Sequence, residues 1–195
     1  MKAVQGNQFI LRTIKLLGLF IVFLAALIFA VSIWMRVNHI YINTTPSLPV
    51  GLYKKIHSPI EKGVYVAFCP PEWDVFMMAQ ERGFISASNG MNGNCPSGHG
   101  LMLKQVMALQ GDTVSIDSSG VSINGKKLPL SEQLSIDDRN LPLPLFSLKS
   151  RQLDASEALL MANIHPRSFD ARYFGLVDRI YIVTRVKPWI IFFNK

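Results

Sequence analysis

Between Leu16 and Met35 the sequence reads LLGLFIVFLAALIFAVSIWM, 20 residues without a charge. At 1.5 Å per residue a helix of that length spans roughly 30 Å, the hydrocarbon thickness of a bilayer. A secretory signal peptide has a shorter apolar core, about 7–15 residues, with a small-residue cleavage site behind it. Here Trp34-Met35-Arg36 follows, a poor cleavage site but a good interfacial end, with Trp at headgroup depth. The competing reading, a buried soluble helix, is usually shorter and carries a polar face. The run therefore predicts a transmembrane helix at residues 16–35, with residues 1–15 on one side and 36–195 on the other.

Flanking cations set the expected orientation. Lys2, Arg12 and Lys15 precede the span without an acid among them, and after Arg36 the next Lys or Arg is Lys54. The positive-inside rule then places residues 1–15 in the cytoplasm and residues 36–195 across the membrane, in an oxidising compartment. The 195 residues suit one domain with an appendage. With 49% hydrophobic and 17% charged residues, intrinsic disorder is excluded. Two Cys are too few for a disulfide scaffold or a structural zinc site. The net charge of +7 comes from scattered cations, with no basic run longer than two, so a nucleic-acid footprint is not expected.

After the anchor, short apolar runs alternate with Gly- and Pro-containing turns, the pattern of a mainly β body. Strands are expected at Val64–Phe68, Leu101–Leu109, Thr113–Asp117, Val121–Asn124 and Arg179–Val186. Gly111-Asp112, Ser119-Gly120 and Asn124-Gly125 supply the positive φ that tight turns need. One short helix is expected from Glu72 to Arg82, with Pro71 at its first turn and Gly83 as its stop. Trp73, Phe76, Met77 and Gln80 would share a face of it. Residues 83–100 and 137–144 read as loops, with His99 between two glycines in the first.

Three segments could carry chemistry. In Asn43-Thr44-Thr45-Pro46-Ser47-Leu48-Pro49-Val50-Gly51-Leu52-Tyr53, two prolines hold Ser47 on a stiff, non-helical stretch. Rigid presentation is what a nucleophile needs, yet Pro, Ser and Thr are equally common in juxtamembrane linkers. Lys104 is the only charge between Gly100 and Gln110. Buried, it would be pushed toward the neutral amine a general base requires; pointing outward from an edge strand, it would be ordinary. In Ser168-Phe169-Asp170-Ala171-Arg172-Tyr173-Phe174-Gly175, Ser, Asp and Arg at alternate positions would share one face of an extended segment, either bracing a site or simply facing solvent. The four His, His39, His57, His99 and His165, fit no triad motif and, with the two Cys, no metal-ligand spacing. A Ser–Lys dyad needs neither.

Taken in order, these segments resemble the type I signal peptidase family. In that family a serine lies just past an anchor, a lysine follows on a strand before a Gly-Asp turn, and a Ser-x-Asp-x-Arg-Tyr-x-Gly segment comes late. The match is closer to one branch, the conjugative-transfer signal peptidases of the TraF type. It lies in Ser47, Pro49, Gly51 and Tyr53, in Cys69-Pro70-Pro71 and Asn94-Cys95-Pro96, and in a body with little room for a large insert. The Ser-Met-x-Pro-Thr pattern of general leader peptidases is not present, since Leu48 and Pro49 follow Ser47.

The resemblance implies a body of coiled antiparallel β-sheet and a serine endopeptidase without metal or cofactor. Ser47 would be the nucleophile, Lys104 the general base, and Ser168 the hydroxyl that orients the lysine amine. Asp170 and Arg172 would brace that segment, with Asp170 counted among the catalytic residues. The Ser47 N–H and the Thr45 hydroxyl would form the oxyanion hole. A Cys69–Cys95 disulfide is expected, and two buried free thiols are the alternative. The implied partners are a pilin or other membrane-associated precursor, inner-membrane lipid and the conjugative secretion machinery. The implied activity is pilin maturation, with cyclisation as one outcome. A general signal peptidase and a non-catalytic pilus-assembly scaffold remain alternatives. Leu48, Tyr53 and the run Trp189-Ile190-Ile191-Phe192-Phe193 are apolar residues that could lie against lipid, though the run could equally pack into the core.

Overall fold

The computed structural model describes residues 2–87, 95–162 and 164–193, and the chain divides into two units, up to Asn38 and from His39 onward. The first unit is one helix, α1 (Lys2–Val37). Its segment Arg12–Val37, 26 residues, is long and apolar enough to cross a membrane. Phe20, Ile21 and Val22, which lie on different sides of the helix, are all exposed. A helix that is apolar all round is stable only when something apolar surrounds it. The helix thus marks a membrane-anchored protein.

The second unit is mainly β. In chain order it holds β1 (Ile40–Asn43), β2 (Val50–Ile56), β3 (Tyr65–Phe68), α2 (Asp74–Glu81), β4 (Met102–Ala108), β5 (Thr113–Asp117), β6 (Gly120–Ile123) and β7 (Lys126–Lys127). Then come β8 (Leu148–Gln152), β9 (Glu157–Met161), α3 (Ala171–Phe174), β10 (Val177–Asp178) and β11 (Ile182–Phe193). Seven strands form an antiparallel sheet in the order β1-β2-β11-β3-β4-β9-β10, and four form a second in the order β7-β6-β5-β8. The expected turn chemistry is realised between β6 and β7, where Asn124 and Gly125 both take positive φ, 51° and 78°. That backbone matches the right-handed twist of a tight hairpin.

Several expected elements shift. α2 starts at Asp74 rather than Glu72, because Pro70 and Pro71 favour extended backbone and Trp73 caps the helix at φ −100°, ψ 148°. Its buried face is Phe76 and Ala79, while Met77 and Trp73 are exposed. Phe76 meets Phe68, Phe169 and Phe174 at centroid distances of 6.3, 6.3 and 4.9 Å, and these aromatics fix the rotation of the helix. His99 is no open-loop residue: it is buried, bridges to Ala87 across the loop, and shares a 2.6 Å hydrogen bond with Gln80 through Nδ1. Residues 88–94 of that loop lie outside the described residues. The last expected strand opens with a 3₁₀ turn, Arg179–Tyr181, and continues as β11 to Phe193 through the terminal apolar run, with a bulge accommodating Pro188.

Two apolar clusters form the core. The larger gathers Val66, Phe68, Val106, Leu159 and Leu160 with the aromatic group around Phe76. The smaller holds Tyr41, Leu48, Tyr53, Ala67, Leu103, Ala162 and Val186. Leu48 and Tyr53 are thus core residues, 1% and 0% exposed, and the expectation that they face lipid is overturned. Trp189, Ile190 and Phe192 do stand exposed, whereas Ile191 packs against the smaller cluster.

Cys69 and Cys95 are joined by a disulfide across a separation of 26 residues that contains α2. In the chain-entropy picture closing such a loop stabilises the fold by about 3–4 kcal/mol. Cys69→Ser should therefore lower the free energy of guanidinium unfolding by about that amount. Adding reductant to the wild type should produce the same shift, and none in the variant.

Candidate active site

The chain from Asn43 to Gly51 closes the β1–β2 hairpin, with those two residues paired in register, and Ser47 lies in the connecting loop. The spacing of Pro, Gly and Tyr after Ser47 has a physical reading. Leu48 drops into the smaller cluster and leaves the Ser47 side chain half-exposed on the other side. The Tyr53 hydroxyl, buried and pushed above its ordinary pKa by desolvation, donates to the Pro49 carbonyl at 2.8 Å. Gly51 passes so close to β11 that a Cβ would stand 2.2 Å from the Ile190 carbonyl oxygen. A larger residue there would push the hairpin off the sheet.

Lys104 occupies β4, an interior strand, opposite Val66 of β3, and is 3% exposed. The edge-strand alternative therefore does not apply. Burial lowers its pKa from 10.5 to about 8; the Asp170 charge works against that shift and the Arg172 charge with it. Ser168, 3% exposed, has a buried hydroxyl without a hydrogen-bond partner among the described residues. Ser47, Lys104 and Ser168 line one cleft of about 550 Å³, together with Thr45 and the apolar side chains of Ile42, Phe84, Ile85 and Leu101. An ion pair between Arg167 and Asp138 lies on the same cleft.

The third segment is not extended. Asp170 caps the single turn of α3, its carboxylate accepting from the Arg172 N–H at 3.1 Å, and Gly175 ends the turn at φ 76°. Ser168, Asp170 and Arg172 hence do not share a strand face. A capping carboxylate two residues before a helical N–H wins over strand alternation because it satisfies an otherwise orphan donor. Arg172 is fully buried and grips Asp170 bidentately at 2.8 and 2.9 Å. Its other N–H groups donate to the carbonyls of Leu130, Pro166 and Ser168 at 3.0, 2.7 and 2.9 Å. Asp170 also accepts from the Ala162 N–H at 2.9 Å. This pair sits behind the cleft and does not line it. Its charges bear on Lys104, and Arg172 holds the Ser168 carbonyl.

Thr45 and Ser47 are in contact, Oγ1 to Oγ, at 2.8 Å. Thr45 is tied in turn to Asn43, a residue to which the sequence assigned no role. Its signal was present, since an Asn before a Pro- and Ser-rich turn is a residue suited to bonding its own loop. Among the described residues no cluster of His, Cys, Asp or Glu could hold a metal ion.

Residues 10–190 match the family described as signal peptidase, peptidase S26, and the chain belongs to that family. Within it the chain is a signal-peptidase-like protein of the TraF type. A plasmid transfer protein TraF from Escherichia coli is 46% identical over 147 residues, 75% of this chain and 80% of that protein. A probable conjugal transfer protein TraF from Sinorhizobium fredii is 32% identical over 136 residues, 69% of this chain and 68% of that protein. A signal peptidase I of known crystal structure from Enterococcus faecalis aligns with a TM-score of 0.35 and 20% identity, over 68% of this chain and 99% of that one.

The buried Lys104 makes a prediction about stability. Its folded pKa, about 8, is depressed below the unfolded value, so folding is opposed wherever the unfolded lysine is protonated. Below pH 8 that opposition is complete, about 3 kcal/mol, and it fades as pH rises from 8 toward 10.4. Lys104→Met should raise the thermal midpoint at pH 7, and its advantage over wild type should shrink when the melts are repeated at pH 9 and 10.

Proposed function

We propose that this protein is a membrane-anchored serine endopeptidase with a Ser47–Lys104 dyad, acting on a conjugative pilin precursor or a related exported protein. The observation that carries the reading is one cleft holding a half-exposed serine hydroxyl and a buried lysine whose pKa is lowered to about 8. At that pKa roughly one lysine in ten is neutral at pH 7, enough to act as a base without metal or histidine. Family membership supports the peptidase class, and the relatives named as plasmid or conjugal transfer proteins support a substrate from conjugation.

In the proposed cycle Lys104 Nζ takes the Ser47 proton as Oγ attacks the scissile carbonyl. The Ser47 N–H and the Thr45 hydroxyl bind the oxyanion, each such donor being worth about 3–4 kcal/mol in the transition state. The lysine ammonium then gives its proton to the leaving amine, and an acyl-enzyme forms on Ser47. Water, or an amine of the substrate itself, attacks that ester while Lys104 again accepts the proton. The Ser168 hydroxyl orients the amine, and the Asp170–Arg172 pair holds Ser168 in place. With residues 1–15 in the cytoplasm, the cleft belongs to the periplasmic side of the inner membrane, where precursors anchored in the same bilayer reach it.

Ser47→Ala and Lys104→Ala should each abolish processing of a co-expressed pilin precursor while leaving membrane insertion intact; processing retained by either variant sinks the dyad. The kcat/KM of the wild type should climb as pH passes through about 8 and level off above, since the active form is the neutral amine. Broad cleavage of ordinary secreted precursors would point instead to general signal-peptide removal. Failure of any acylating inhibitor to label Ser47 would point to a scaffold. Mass spectrometry of the mature product separates the two endings of the cycle, because a cyclic chain is one water lighter than a linear one.

A further inference from the structure

Asn43 ends β1 and is 7% exposed, yet its side chain is given over to the loop that follows it. Nδ2 donates to the carbonyls of Thr45, Leu48 and Pro49 at 2.9, 2.9 and 3.2 Å. These acceptors lie on both sides of Ser47, so one amide group fixes the loop before and after it. Oδ1 accepts from the Thr45 backbone N–H at 3.4 Å and from the Thr45 hydroxyl at 3.1 Å.

The second of these bonds has a consequence for the hydroxyls. Thr45 has one hydroxyl hydrogen. With that hydrogen on Asn43 Oδ1, the 2.8 Å contact between Thr45 and Ser47 has Ser47 as its donor. The free protein therefore holds a directed chain from Ser47 to Thr45 to Asn43. Among the described residues no hydrogen bond joins Ser47 to Lys104.

We infer that Asn43 is a positioning residue for both hydroxyls, setting where the Ser47 and Thr45 hydrogens rest and how the loop presents them. The inference rests on the Ser47–Lys104 reading and extends it. When a scissile carbonyl enters, the Thr45 hydrogen turns from Asn43 Oδ1 to the oxyanion, and the Ser47 hydrogen turns from Thr45 to Lys104 Nζ. Asn43 Nδ2 keeps its hold on the three carbonyls throughout, so the rotations occur on a fixed backbone. No bond to Asn43 forms or breaks other than that one hydrogen bond.

The test uses the full chain in detergent micelles with p-nitrophenyl butyrate, whose acyl group adds to Ser47 as p-nitrophenolate leaves. Asn43→Ala should lower kcat about 30-fold or more with KM within about twofold, at an unchanged burst amplitude and with the pH midpoint still near 8. An unchanged amplitude shows that the site is folded and merely slow. Thr45→Val should lower kcat by about 100-fold, and the double variant should fall no more than about threefold further, because both act through one chain of hydrogen bonds. If Asn43→Ala does not fold, Asn43→Asp carries the test: it keeps an acceptor for Thr45, loses the donors to the loop carbonyls, and should lose about tenfold in kcat with KM within about twofold. A kcat within twofold of wild type in the Asn43 variant, or losses that multiply in the double variant, overturns the inference. An acyl adduct that persists in Ser47→Ala instead overturns the dyad itself, which is a separate outcome.

Discussion

The buried pair of Asp170 and Arg172 is the interaction on which the cleft-bearing half of the body depends. Both side chains are fully buried, and a buried ion pair survives only where every remaining donor and lone pair is used. Here the guanidinium reaches carbonyls in the segments around Leu130 and Pro166, and the carboxylate takes the N–H groups of Ala162 and Arg172. One pair thereby ties the end of β9, the turn α3 and the distant segment around residue 130 into a single body. Its charges also bear on Lys104 with opposite sign, Asp170 favouring the ammonium and Arg172 opposing it. Desolvation outweighs either charge and decides the direction of the lysine's pKa.

That arrangement explains how a mainly β body can lower the pKa of a lysine to about 8. An interior strand supplies burial, which an edge strand would not. The energetic opposition that burial imposes on the ammonium is the same quantity that makes the amine available near neutral pH. Stability and basicity are thus coupled at one side chain, and the surrounding apolar core, Val66 and Val106 among it, is what tolerates the cost.

Much of this was legible in the sequence, for reasons that can be traced residue by residue. The anchor was visible because twenty uncharged residues have few other readings, and β5 was visible with its observed bounds because turn dipeptides flank it. Three motifs in order identified the family where each alone was ambiguous. β2 was hidden because Pro49, Val50 and Gly51 resemble a linker; its strand character comes from pairing with β11, which lies far along the chain. β9, Glu157–Met161, is built largely from helix formers, and only its place between β4 and β10 makes it a strand. α3 is four residues long, too short for any periodicity, and it exists because Asp170 caps it. His99 carried no motif, since its partner Gln80 lies 19 residues away, where local pattern does not reveal it.

The position of β11 adds a constraint that no local pattern contains. The hairpin that presents Ser47 joins the sheet through β2, and β2 pairs on its other side with β11, the last strand of the chain. Gly51 meets Ile190 there without room for a side chain, and Val186 completes the cluster that holds Leu48 and Tyr53. Contacts so distant in sequence carry the full loop-closure cost before they return any stabilisation. The loop from Asn43 to Gly51 has hydrogen bonds of its own, but its docking against Lys104 and Ser168 requires residues 182–193. The site is consequently a property of the closed sheet, and a chain ending before β11 would hold Ser47, Lys104 and Ser168 without the surface that brings them into one cleft.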